Sequence, residues 1–153
     1  MKPSKNCLAL ISNDNIEGFR ETPYPDSGGV ATIGYGTTIY PNGVRVTLKD
    51  APITKEQAWS YLESHCDMVA KQIEPLIKVE LNQNQIDALI SFVYNEGIRQ
   101  FKTSTLLKVI NKTPYDFLAV KNQWLRWVYD DGVKKNGLIK RRNVEFLLYS
   151  KPI

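Results

Sequence analysis

A chain of 153 residues with 42% hydrophobic, 24% charged and 10% aromatic side chains has the composition of one ordered globular unit, which excludes a disordered or fibrous protein. Twenty Lys and Arg against sixteen Asp and Glu leave a formal charge of +4, a bias toward anionic partners that suits nucleic acid, anionic lipid and the acidic bacterial wall alike. The two cysteines, Cys7 and Cys66, lack metal-site or redox spacing and are too few for a disulfide framework; they read as free buried thiols, with a bridge between them the less favoured alternative.

From the N-terminus, the apolar run Cys7 to Ile11 that follows Lys2 and Lys5 is five residues long, too short for a signal-peptide core or a membrane span. The expectation is a protein made in the cytoplasm with no export address of its own. A short helix should carry Leu8, Ile11 and Ile16 toward the core and stop near Gly18, because glycine commonly ends helices; Glu17 then sits at a helix end. Between Gly18 and Gly43 lie six of the nine glycines and three of the eight prolines, among short runs of Thr, Tyr, Val and Ile. This reads as a small antiparallel sheet with tight turns, Asn42-Gly43 being a hairpin signal. Gly34 and Gly36 are expected to give a strand room for close packing or unusual torsions.

Thr54 with Gln57 resembles a capping box that opens a long helix through Trp59, Leu62, Met68, Val69 and Ile73, closed by Pro75. Asn82 with Gln85, stapled by Leu81 and Ile86, opens a second helix through Ala88, Leu89, Phe92 and Val93, expected to be central and buried. Thr113-Pro114 with Asp116 suggests a further start leading through Phe117, Val120 and Trp124 to Val128. The segment Leu138 to Tyr149 alternates a basic face with Ile139, Val144, Phe146, Leu147 and Leu148, and is expected to pack those apolar residues on the core. A weak contact of this basic segment with an anionic membrane is left open. No repeat or linker divides the chain. The expected class is α+β and mainly helical: one domain over 1–153, with a β-rich lobe over about 18–50 and a helical lobe over about 54–153 joined by the N-terminal helix.

His65 is the only histidine, which removes His-dependent triads and the H-E-x-x-H zinc site, and it reads as an ordinary helix residue. Phosphate-loop and G-x-S-x-G motifs are missing too. What remains is carboxylate chemistry, concentrated in Glu17-Gly18-Phe19-Arg20, Tyr24-Pro25-Asp26 and Thr32-Ile33-Gly34-Tyr35-Gly36-Thr37. A glycosidic bond breaks through an oxocarbenium-like state, so one carboxylic acid must protonate the leaving oxygen while a second, ionised carboxylate stabilises charge or activates water. Phe19 and the helix favour an apolar setting for Glu17, and Ser27, Gly28 and Gly29 favour exposure of Asp26. A Glu, an Asp and a Thr within sixteen positions are unspecific when judged by spacing alone.

The three blocks together resemble the catalytic signature of the phage lysozyme and endolysin family of glycoside hydrolases: Glu17, eight residues to Asp26, five more to Thr32. Ala88 to Gly97, Ser104-Thr105-Leu106-Leu107 and Gly137 to Arg142 resemble further blocks of that family, so that nearly the whole chain is covered. The resemblance implies a two-lobed lysozyme-like fold with a cleft between lobes. It also implies hydrolysis of the β-1,4 bond between N-acetylmuramic acid and N-acetylglucosamine with inversion, which needs carboxyls about 6.5–9.5 Å apart rather than about 5–5.5 Å. In that frame Glu17 is the general acid, Asp26 the charged partner and Thr32 the hydroxyl that positions the attacking water. Some members carry Cys at the Asp position; here it is Asp, which suits hydrolysis. Tyr94 and Asn95 would face bound sugar, with a core role equally open for Tyr94, and Arg141 or Arg142 would be an ionic partner of Glu17 or part of a solvated basic face.

The implied partner is the peptidoglycan glycan strand, not nucleic acid, and neither metal nor organic cofactor is implied. A monomer suffices. A phage factor that permeabilises the membrane would release the enzyme from the host cytoplasm to the wall. Two other readings stand beside this one. Lytic transglycosylation needs only one acid, which Asp26 and Thr32 argue against, and a non-catalytic wall- or nucleic-acid-binding module rests on the charge of +4.

Overall fold

A computed structural model describes residues 1–153. The first helix, α1 (Lys5–Ser12), is capped by Ser4, whose hydroxyl accepts from the Asn6 backbone N–H and donates to the buried Asp87. Leu8 and Ile11 face the core. The helix stops earlier than expected: the Asn13 carboxamide accepts from the Asn15 N–H at 2.9 Å and so competes with the helical ladder. A series of turns then runs to Gly18, which adopts φ +68°. Glu17 is therefore presented by a turn that follows the helix.

Strand β1 (Arg20–Pro25) pairs antiparallel with β2 (Ala31–Gly34), with Tyr24 opposite Thr32 and an irregularity between Arg20 and Tyr24. Pro23 and Pro25 lack backbone donors, which suits an edge and a broken ladder. Beyond β2 the expected sheet reduces to two isolated bridges, Ile33 to Thr37 and Ile39 to Arg45. Asn42-Gly43 does form the tip of a turn, with the Tyr40 N–H donating to the Val44 carbonyl at 2.8 Å and Gly43 at φ +87°.

The helical lobe begins with α2 (Lys55–Ile73), opened by the full Thr54–Gln57 capping box, and Pro75 follows in a single 3-10 turn, Glu74–Leu76. The helix α3 (Gln83–Glu96) has the Asn82–Gln85 box and buries every residue from Asp87 to Val93, as a central helix must. It packs along the C-terminal helix and against α2 and α1. Three short helices follow: α4 (Ile98–Lys102), α5 (Thr105–Lys112) and α6 (Phe117–Trp124). Asp116 itself caps α6, accepting from the Ala119 N–H at 3.1 Å, so the helix starts later than the Thr113-Pro114 signal suggests.

The same helix also ends before Val128. Tyr129–Asp130 and Val133–Lys134 instead form a two-stranded hairpin, β3 and β4, closed by Asp131 and Gly132, both at positive φ (51° and 77°), the geometry for which Asp-Gly is favoured. The last helix, α7 (Asn136–Tyr149), departs most from expectation. It buries Arg141, Arg142 and Glu145 together with Phe146 and Tyr149, and leaves Val144 and Leu147 exposed, the latter 69%. The expected apolar face is thus turned partly outward because three charged side chains occupy the buried side. Aromatic rings fill the core around them: Phe92 lies edge-on to Trp124 and Trp127, each with centroids 5.5 Å apart.

Candidate active site

Glu17 is held in place by its surroundings rather than by its own turn. Its Oε1 accepts from Arg141 Nη1 at 2.7 Å, with the Glu17 side chain 19% exposed and that of Arg141 5%. On the other side lies Gly36, at φ +83°: a Cβ there would come within 2.6 Å of Glu17 Oε2. The glycine in Tyr35-Gly36-Thr37 is thus required twice, for its torsion and for its missing side chain.

Asp26 stands at the turn between β1 and β2. Its Oδ1 accepts from the Gly28 and Val30 backbone N–H groups at 2.9 and 2.8 Å, an Asx turn that fixes the side chain and leaves Oδ2 without a partner in the protein. The Val30 carbonyl in turn accepts from the Asp26 N–H and from the Thr32 hydroxyl, each at 2.9 Å. Asp26 and Thr32 are therefore fixed to one carbonyl. Thr32 itself is buried.

Glu17 and Asp26 line the same open cleft of about 510 Å³, together with Ser27, Asn95, Glu96, Asp130, Lys135 and Arg141 among others. Of the five residues singled out in the sequence, the cleft wall brings together Glu17, Asp26 and Asn95; Thr32 and Tyr94 stand behind it. Tyr94 donates its hydroxyl to the Tyr35 carbonyl at 2.7 Å, packs its ring 4.4 Å from that of His65, and has its phenol held well above the ordinary range by burial. An apolar groove between α1 and α7, lined by Leu10, Ile16, Val144 and Leu147, is of similar size at about 540 Å³ but contains none of the carboxylates that the chemistry needs. No group of three or more His, Cys, Asp or Glu side chains is close enough together to hold a metal ion.

Behind the cleft floor lies a network of which the sequence reading singled out only Arg141 and Arg142. Glu145, fully buried, accepts through Oε2 from the Ser91 hydroxyl at 2.6 Å and Arg141 Nε at 3.2 Å, and through Oε1 from Trp124 Nε1 at 3.2 Å and from Arg142 Nη1. Arg141 continues to Glu17 and to the Ser91 carbonyl at 3.1 Å. Arg142 donates to the Trp127 carbonyl at 2.9 Å, to Glu96 at 3.1 Å and to Asn95. It is thus Arg141, and not Arg142, that reaches Glu17. Burial opposes the charge of Arg141, but Glu17 and Glu145 together hold its guanidinium above its ordinary pKa. At the rim, burial raises the pKa of Glu96, with Arg142 opposing the shift. The signal for this network was available: Arg141, Arg142 and Glu145 stand at the i, i+4 and i, i+3 spacings that place side chains on one helix face.

A cleft between a small β-lobe and a helical lobe, carrying one half-buried and one exposed carboxylate, has the pair of groups that glycosidic cleavage requires. The phage lysozyme family model matches residues 14–145. A SAR-endolysin of Bacteriophage PS119 is 39% identical over 133 residues, 87% of this chain and 75% of that protein. An endolysin of Acyrthosiphon pisum secondary endosymbiont phage 1 is 37% identical over 153 residues, covering 97% and 98% of the two chains. Among solved structures, the endolysin from Escherichia coli O157:H7 phage FAHEc1 superposes with a TM-score of 0.85 at 34% identity, over 97% of this chain and 93% of that one. The chain belongs to the phage lysozyme family, the wall-lysing glycoside hydrolases of phages, and has their lysozyme-like fold.

Proposed function

We propose that the chain, as a monomer and a single catalytic unit, hydrolyses the β-1,4 bond between N-acetylmuramic acid and N-acetylglucosamine, with Glu17 as general acid, Asp26 as charged partner and Thr32 positioning the attacking water. The observation that carries this reading is the placing of Glu17 and Asp26 on one cleft in different surroundings. Arginine can only donate hydrogen bonds, so a proton on Glu17 resides on Oε2, the oxygen left uncovered by the missing side chain of Gly36. From there it passes to the glycosidic oxygen as the C–O bond breaks. Asp26, with Oδ2 free, faces the positive charge that develops at the anomeric carbon or takes the proton of the incoming water. The Thr32 hydroxyl spends its hydrogen on Val30 and keeps lone pairs with which to accept from that water. The proposed outcome is inversion.

On the substrate side, Asn95 contacts sugar from the cleft wall and Tyr94 supports it from behind. The enzyme accumulates in the host cytoplasm and reaches the wall when the membrane is breached. With Arg141 and Arg142 buried, any weak contact with an anionic membrane falls to Lys140 and Lys151, beside the exposed Leu147. Mass spectrometry of the fragments released from purified peptidoglycan tests the reaction. Fragments carrying one added water and a reducing end are expected, and their release should fall on Asp26→Asn; anhydro-sugar ends in place of reducing ends would defeat the hydrolytic reading.

A further inference from the structure

We propose that Glu145, which never touches the cleft, is a positioning residue that apportions two buried guanidiniums between the two walls of the site. One oxygen serves each: Oε2 takes Arg141, which goes on to Glu17, and Oε1 takes Arg142, which goes on to Asn95 and Glu96. Ser91 and Trp124 complete the carboxylate's shell with one donor per oxygen, so Glu145 has no freedom to favour either arginine. Buried charges are retained where every lone pair and proton is matched, and here the match sets two directions at once. Arg141 is pulled along its own helix by Glu145 and outward by Glu17, which aims Oε1 and leaves Oε2 to carry the proton. The inference rests on the assignment of Glu17 as the acid.

Glu145 also determines how much of the positive charge of Arg141 is felt by Glu17. Around Glu17 the titratable and charged groups are Arg141 from α7, Tyr94 and Glu96 from α3, Tyr24 from β1, and Asp26, Asp130 and Lys135 around the cleft. Neutralising Glu145 leaves Arg141 less compensated and strengthens its hold on the Glu17 carboxylate. Removing Arg142 withdraws positive charge and leaves Glu145 wholly to Arg141, which weakens that hold.

The test measures kcat and KM against pH on a soluble glycan fragment for the wild type, Glu145→Gln, Arg142→Met and Glu17→Gln, with the fold of each checked by circular dichroism. The alkaline limb of the kcat profile should move down for Glu145→Gln and up for Arg142→Met, each by about half a pH unit or more. Glu145→Gln should mainly lower kcat, and Arg142→Met should mainly raise KM through Asn95. Limbs that stay in place or move together would overturn the proposal, since a purely structural role lowers activity without opposed shifts. If Glu145→Gln does not fold, the direction of the Arg142→Met limb decides alone. Full activity of Glu17→Gln would instead remove the acid assignment itself, whatever Glu145 does.

Discussion

Gly36 and His65 show how much a single position carries. Gly36→Ala sets a methyl group within 2.6 Å of Glu17 Oε2 at a torsion of φ +83°, so both Glu17 and the turn after β2 must shift. The expected result is a loss of about 1–3 kcal/mol of stability and a fall in kcat larger than any change in KM, read by thermal melts and steady-state kinetics. His65 is neutral in the folded chain because burial lowers its pKa below the ordinary 6.5. The unfolded chain then binds the proton first as pH falls, so the contribution of His65 to stability is complete above pH 6.5 and is lost as pH falls through the folded-state value. His65→Phe should flatten the fall in Tm below that pH; an unchanged slope would show that another group carries it. Cys7 and Cys66 are free and fully buried, and the neighbouring Cys66 together with burial pushes the Cys7 thiol far up. The expectation of free thiols agrees with this arrangement.

At the scale of elements, what was legible in the sequence follows the strength of the local chemistry. The boxes at Thr54 and Asn82 were readable because two reciprocal hydrogen bonds mark each start. Thr54→Ala should cost about 1 kcal/mol, measured by chemical denaturation. Asp116→Ala should cost a similar amount, because Asp116 is the cap of α6 and Thr113 is not; a larger loss for Thr113→Ala than for Asp116→Ala would restore the earlier start. The hairpin of β3 and β4 was missed although Asp131-Gly132 announces it, because the apolar spacing through Trp124 and Val128 suggested a longer helix. The inversion of α7 was not legible from periodicity. Hydrophobic pattern ranks Val144 and Leu147 as core and Arg141, Arg142 and Glu145 as surface, and only the tertiary pairing of those three charges with Ser91, Trp124 and Glu17 reverses the order. Glu17, Asp26 and Asn95 were named from a family pattern and line one cleft, whereas the network that orients Glu17 comes from α3 and α7, far from it in sequence.

For the whole molecule, the two lobes divide the work. The β-lobe supplies Asp26 on a turn fixed by its own backbone, and the helical lobe supplies Arg141, which holds Glu17. Ser27 also reaches across to Asp130 at 2.7 Å, which ties the Asp26 turn to the β3 hairpin of the opposite lobe. A net charge of +4 draws the enzyme toward an acidic polymer, and this attraction is screened over about 8 Å at physiological salt. The rate of wall clearing should therefore fall as sodium chloride rises from low to physiological concentration, while kcat on a small neutral glycan fragment stays constant; a parallel fall of both would place the salt effect in the site. The most direct measurement of the central claim compares the turbidity loss of purified peptidoglycan with wild type and with folded Glu17→Gln. Clearing by the wild type with a loss of at least about a hundredfold in Glu17→Gln is the predicted result, and equal clearing by both would contradict the assignment of Glu17 as the acid.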